Sequence, residues 1–274
     1  MKNASPSLRW KVSAVALVVL GFVAVFGLGT WAAIQILLDP AWAEDKSYSV
    51  SSIGRNAAVG AVVVVLVTVI ARAGLRIPLA EQGWRWPASP AFGALGALGL
   101  AYLAMWVGFQ AWHAVDRFFP QREVSVTPSD TSDADVFSAL SAVNAGITEE
   151  ILLLAIPIAV MTRLKWHVGA QLLVLIAMRL SIHLYYGPQA IVLCVVWVLG
   201  LWLVYRKVRA VWPFILAHIT YDLVAGNSVF PREVRLGLAA LSIALLIVGL
   251  VAAVTWGVRS IKAGGKRKEE PLPS

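Results

Sequence analysis

The chain is 274 residues long, 59% hydrophobic and only 14% charged, with a mean hydropathy of +0.76 and a net charge of +8. That composition lies far outside the range of soluble domains and marks an integral membrane protein. Its one cysteine, Cys194, sits in an apolar run and excludes a disulfide framework or a cysteine-built metal site, and no soluble segment carries the basic cluster that nucleic acid requires.

A membrane span needs about 20 apolar residues, and eight stretches qualify. The first covers 12–38, behind a leader holding Lys2, Arg9 and Lys11. AWAED at 41–45 resembles a signal-peptidase site, but the apolar core exceeds the roughly 7–15 residues of a signal peptide, so an uncleaved anchor is expected. The second span is 57–73. The loop after it, GLRIPLAEQGWRWPASP at 74–90, interleaves Trp, Leu and Arg with Pro and is expected to lie along the interface.

The third span, 91–115, leads into the polar segment 116–135, where Pro120, Pro128 and the SDTSDAD run predict an exposed loop. The fourth span, 137–161, carries Glu149 and Glu150; the fifth, 168–185, carries Arg179 and His183. The sixth is 191–205, the seventh 211–225 with His218 and Asp222, and the eighth 236–258. The tail GGKRKEEPLPS is expected to be disordered. The expected fold is therefore an all-α, polytopic membrane bundle of about eight transmembrane helices. It divides into a three-helix region at 1–136, a core at 137–226, and a last helix with a basic tail at 227–274.

Loop charge supports an even number of crossings. If both termini share a side, that side holds sixteen of the 23 basic residues and the other side six, with Arg179 inside a span. The positive-inside rule then places both termini in the cytoplasm, here of a bacterial cell membrane, and the excess charge serves orientation and anionic lipid. Ten of the twelve tryptophans lie near span ends, where amphipathic rings favour the headgroup region.

The six ionisable residues within spans four, five and seven carry the chemistry. Ionised groups at that depth cost several kcal/mol unless paired or hydrated, so they mark function. Adjacent glutamates point about 100° apart on a helix, so one neighbour is not expected to serve both. Arg179 with His183, and His218 with Asp222, are each four residues apart and share a helix face. If these faces turn inward, the six groups meet in one cavity. Carboxylate with imidazole provides a base for water and donors for an oxyanion, which is what peptide-bond hydrolysis needs. Three carboxylates against one arginine also call for a shared proton or a charged histidine. His113 and His167 lie beside Trp112 and Trp166 at span ends and read as interfacial. Asn144 and Ser181 are small polar groups suited either to the cavity or to helix packing.

At these positions the sequence resembles the CPBP intramembrane proteases, the family of CAAX prenyl endopeptidases and of bacteriocin-processing and self-immunity proteins. The family carries EExxxR, Phe-xxx-His and His-xxx-Asn/Asp on three helices. Glu149 and Glu150 match the first motif, His183 the second, and His218 with Asp222 the third, while LGLWLVYRKVRAVWPFILAHITYD resembles the approach to the last. The resemblance covers about 144–226. It implies an intramembrane glutamate-dependent endopeptidase in which Glu149 and His183 activate water, Glu150 assists, and His218 with Asp222 holds the oxyanion or orients the site. The implied partners are the bilayer and a membrane-associated or lipidated peptide or protein.

Two positions depart from the family pattern. Leu154 stands where the motif has Arg, and Arg179 where it has Phe. The expectation is that the guanidinium has moved from the fourth helix to the fifth, one turn from His183. The alternative is a family member that has lost catalysis and serves as a scaffold or immunity protein. A proton-coupled transporter is a third reading, although the halves show no convincing inverted repeat. Zinc is open to the same Glu, His and Asp set but is not favoured, because no HExxH pair lies on one helix.

Overall fold

A computed structural model describes residues 7–39, 42, 49–87, 93–119 and 133–268, with side chains through residue 261. The described residues form α1 (Leu8–Leu38), α2 (Val50–Ala73), α3 (Gly93–Asp116), α4 (Ala134–Arg163), α5 (Val168–His183, continued by a 3-10 turn Leu184–Tyr186), α6 (Ala190–Val208), α7 (Trp212–Ala225) and α8 (Arg232–Lys268). The all-α polytopic bundle is as expected. Seven helices are long and apolar enough to cross a membrane; α7, with 14 residues, is the exception. At 1.5 Å per residue it reaches only about 21 Å, and the 3-10 turn Asn227–Val229 adds to that.

Helix ends follow local chemistry. Ser7 caps α1 by accepting from the Trp10 amide, and Ser49 with Ser52 forms a reciprocal capping box that starts α2 at Val50, seven residues before the hydropathy onset. Pro213 lies in the first turn of α7, where its missing N–H costs nothing. The tail departs from expectation: the backbone of α8 stays helical through Lys268, with no proline before Pro271 and with basic residues suited to a helix C-terminus. Residues 269–274 lie outside the described residues, as do most of the AWAED stretch and 120–132 of the predicted polar loop.

Burial identifies the centre. The most apolar stretch of α4 is 83% buried within the protein, against 17–22% for α1, α2 and α8. α4 packs against α2, α7, α5 and α1, while α3 holds α6, α7 and α8 together. The peripheral helices turn Val, Leu and Ile outward, as a lipid-facing surface requires.

One face gathers the ends of five helices. Trp10 Nε1 at the start of α1 donates to the Leu75 carbonyl after α2 (2.9 Å), and Arg163 at the end of α4 pairs with Glu81 (2.8 Å). The amide of Val211, between α6 and α7, donates to the Gly83 carbonyl (2.9 Å). These segments carry basic residues of the set that charge asymmetry assigns to one side, those of the C-terminal tail apart. The 74–87 segment, expected along the interface, is partly built into the core: Ile77 and Gln82 are wholly buried, and Gln82 donates to the Ile77 carbonyl to hold the corner. Its Trp86 ring sits 4.9 Å from Trp212.

Candidate active site

The centre of α4 widens into a π-helical turn, Glu150–Ala155, in which the Ile156 amide bonds to the Ile151 carbonyl. The α-helix resumes with Pro157 in its first turn. Such bulges displace side chains from their α-helical bearings and occur at functional positions. This one begins at the glutamate pair.

The structure brings five of the six side chains into direct contact. Arg179 Nη1 donates to Glu149 Oε2 (3.2 Å) and Nη2 to Glu150 Oε1 (3.0 Å). One neighbour therefore does serve both glutamates, contrary to the expectation from their 100° separation. A guanidinium is a planar fork with nitrogens spread wide enough to reach carboxylates on either side of it. The same Glu150 oxygen faces His218 Nδ1 at 2.8 Å, and His218 Nε2 lies 3.6 Å from Asp222 Oδ2, just beyond a hydrogen bond. Glu150, His218 and Asp222 thus form a line from α4 into α7, with Arg179 on the flank.

Exposure separates the two glutamates. The Glu150 side chain is fully buried and its Oε2 has no hydrogen-bond partner among the described residues, whereas the Glu149 side chain keeps 11% of its surface and Asp222 keeps 32%. Glu149 and Asp222 thus keep exposed surface, whereas Glu150 has none.

His183 is nearby but oriented differently from the others. Its Nδ1 lies 2.8 Å from the Arg179 carbonyl, one turn back on α5, and it makes no hydrogen bond to either glutamate among the described residues. Because a carbonyl only accepts, Nδ1 carries the proton and Nε2 is left as the acceptor. Tyr185 and Tyr186 stack near the ring at about 6 Å.

Gly146 sets the approach of α4 to α7. A Cβ there would stand 2.5 Å from Ile219 Cγ1 and 3.0 Å from the Ile215 carbonyl oxygen. Only a glycine lets Glu150, one turn on, reach His218.

Sequence reasoning missed Trp197. Its ring lies under the Arg179 guanidinium at 4.3 Å and presents edges to His183 and His218 at 5.6 and 5.3 Å. The available signal was position: Trp197 sits mid-span, while most of the chain's tryptophans lie near span ends. Of the secondary candidates, Ser181 turns back to its own helix at the Met178 carbonyl and His167 caps α5 through Nδ1. Asn144 is different, with a buried Oδ1 that has no partner among the described residues.

Among the described residues no three His, Cys, Asp or Glu side chains are grouped so as to hold a metal ion. The space between the two glutamates is filled by the guanidinium. No curated protein and no solved structure matches the chain. Residues 133–224, about a third of the chain and the stretch that holds all six side chains, match the model of the family described as type II CAAX prenyl endopeptidase Rce1-like, in line with the CAAX-protease resemblance of the three motifs.

Proposed function

We propose that this integral, multi-pass membrane protein is a glutamate-dependent endopeptidase that hydrolyses a peptide bond of a membrane-associated or lipidated protein or leader peptide. The observation that carries the reading is the unequal pair: one buried glutamate fixed by Arg179 and His218, beside a second that shares the same arginine and remains accessible.

Glu149 is the base. Arg179 holds one of its oxygens, and the other takes a proton from water as the water oxygen attacks the scissile carbonyl carbon. His183 assists through Nε2, which its bond to the Arg179 carbonyl leaves free to accept from the same water. The carbonyl oxygen becomes an oxyanion, and His218 Nε2–H, which at 3.6 Å is not hydrogen-bonded to Asp222, donates to that oxygen. Collapse breaks the C–N bond, and Glu149 returns its proton to the leaving nitrogen. Glu150 keeps the His218 ring oriented through Nδ1.

No step needs a metal, and a cation seated between the glutamates would have to displace Arg179. The charge asymmetry supports cytoplasmic termini. The site then lies about 16 Å along α5 from the basic face, roughly midway through a 30 Å core.

The test is cleavage by reconstituted protein of tagged anchored peptides, with and without a prenylated C-terminus. Wild type cleaves, Glu149→Gln folds but does not, and a chelator leaves the rate unchanged. One observation favours a second reading, a scaffold without catalysis: both glutamates are tied to one arginine and Leu154 is buried in the core. Partner binding that persists in Glu149→Gln, with no cleavage by wild type, decides for the scaffold.

A further inference from the structure

A cavity of about 490 Å³ opens at the basic face, away from the glutamates. Its wall includes Arg85 from the corner after α2, Gln171 near the start of α5, and Tyr205, Arg206 and Arg209 at the end of α6. The volume lies within the range of small-ligand sites. Charge makes it selective: three guanidiniums border it, and Glu81, the carboxylate in its described wall, is already held by two bonds from Arg163 at 2.8 and 3.1 Å. The Arg206 guanidinium stacks on the Trp202 ring at 4.6 Å, which orients the fork while leaving the N–H groups at its edge to bond in the plane.

Two further observations point to a missing acceptor. Tyr205 is only 3% exposed, yet its hydroxyl has no hydrogen-bond partner among the described residues. A buried donor left unpaired costs about 1–3 kcal/mol. Gly83, at φ +90°, passes beside that hydroxyl, and a Cβ there would lie 2.6 Å from it. Arg209 ends α6 at φ +50°, a position where glycine is the default and any side chain costs about 1–2 kcal/mol. Among the described residues the other non-glycine positions at positive φ are Arg76, in the turn after α2, and Lys165, just past the end of α4, both cations in the same set of loops.

We propose that this pocket binds a phosphate-bearing anion through Arg85, Arg206 and Arg209, with the Tyr205 hydroxyl as a fourth donor. Its location at the basic ends of membrane helices, flanked by Trp166 and by the Trp86–Trp212 pair, suits the headgroup of an anionic lipid; a soluble phosphate has the same chemistry. The site is independent of the proteolytic reading.

The experiment titrates the full-length protein in neutral detergent with dioctanoyl phosphatidylglycerol, dioctanoylglycerol or inorganic phosphate, following thermal unfolding. The phosphatidylglycerol is expected to raise the midpoint saturably, and dioctanoylglycerol, which lacks the phosphate, is not. Arg85→Gln/Arg209→Gln weakens the apparent affinity about tenfold or more, and the fold-preserving Tyr205→Phe weakens it several-fold, on the scale of charge-assisted hydrogen bonds. Arg76→Gln/Lys165→Gln removes as much charge from the same face and leaves the affinity unchanged. Saturation by inorganic phosphate with the same dependence on Arg85, Arg209 and Tyr205 assigns the site to a soluble phosphate. Its absence assigns it to lipid. Equal weakening by both double variants, equal response to dioctanoylglycerol, or no saturable response overturns the proposal.

Discussion

The guanidinium of Arg179 lies 4.3 Å above the ring of Trp197. The arginine is 1% exposed and the tryptophan 1%, so this is a charge resting on an aromatic face in the middle of a membrane protein. The stack covers one side of the guanidinium while its edge engages the two glutamates. A planar cation is suited to this in a way that a lysine ammonium is not.

Trp197 is accordingly expected to matter for its ring and not for its indole nitrogen, which has no hydrogen-bond partner among the described residues. Trp197→Phe keeps an aromatic face and removes an unpaired donor, so its unfolding midpoint stays near that of wild type. Trp197→Leu loses the face and costs about 2–4 kcal/mol, the scale of a large-to-small core change with a lost cation–π contact. Thermal unfolding of the two variants in detergent checks the order; equal losses would assign Trp197 to packing alone.

Arg179 stands where the family pattern has Phe, and Leu154 where it has Arg. Arg179→Phe strands the fully buried Glu150 and leaves the partly open Glu149 without its cation, and breaking a buried pair costs about 3–5 kcal/mol. Leu154, 2% exposed on the π-helical turn, lies one turn beyond Glu150 on the same helix. Adding Leu154→Arg to Arg179→Phe is expected to recover much of the lost stability and activity. A double variant worse than Arg179→Phe in unfolding and in cleavage would exclude an exchange of positions.

The six ionisable residues could be picked out because burying charge in lipid is costly, so each one within an apolar run stood out. Helical periodicity likewise showed that His218 and Asp222 share a face, and their rings and carboxylates do meet across one turn. What periodicity could not supply was the arginine's geometry. It places Glu149 and Glu150 on different bearings, but the reach of a fork with two bonding nitrogens depends on where α5 lies. The π-helical turn was illegible for a related reason: EILLLA suits an α-helix equally well, and the widened turn follows from tertiary contacts around a fully buried segment. Boundaries erred where capping outranked hydropathy, as at Ser49, and where the backbone of α8 stays helical beyond its apolar run.

Glu149 and Glu150 differ in burial and partners, so their amide variants are expected to fail in different ways. Glu149→Gln keeps an amide oxygen to accept from Arg179 and loses only the charge assistance of that bond, at a partly open position; the unfolding midpoint changes little while cleavage falls by at least about 10²–10⁴, the worth of a general base. Glu150→Gln weakens contacts to both Arg179 and His218 in a fully buried setting and lowers stability and cleavage together. Measuring unfolding and cleavage on each variant separates the roles. A Glu149→Gln protein that still cleaves would remove Glu149 as the base.

Gly146 gives the last expectation, because the contact between Glu150 and His218 depends on how closely α4 approaches α7. A methyl group at 146 meets Ile219 Cγ1 at 2.5 Å and the Ile215 carbonyl oxygen at 3.0 Å. The isoleucine can move, but the backbone oxygen can yield only if the helices separate. Gly146→Ala is therefore expected to cost about 1–3 kcal/mol, the range for overpacking a core, and to lower cleavage more than that loss of fold explains, since it lengthens the 2.8 Å bond that orients His218. Shortening the movable neighbour in Gly146→Ala/Ile219→Ala relieves the closer clash and leaves the backbone contact, so recovery is partial. Full recovery would place the constraint in the side chain alone. No loss in the single variant would show that α4 and α7 have slack where the catalytic arrangement requires none.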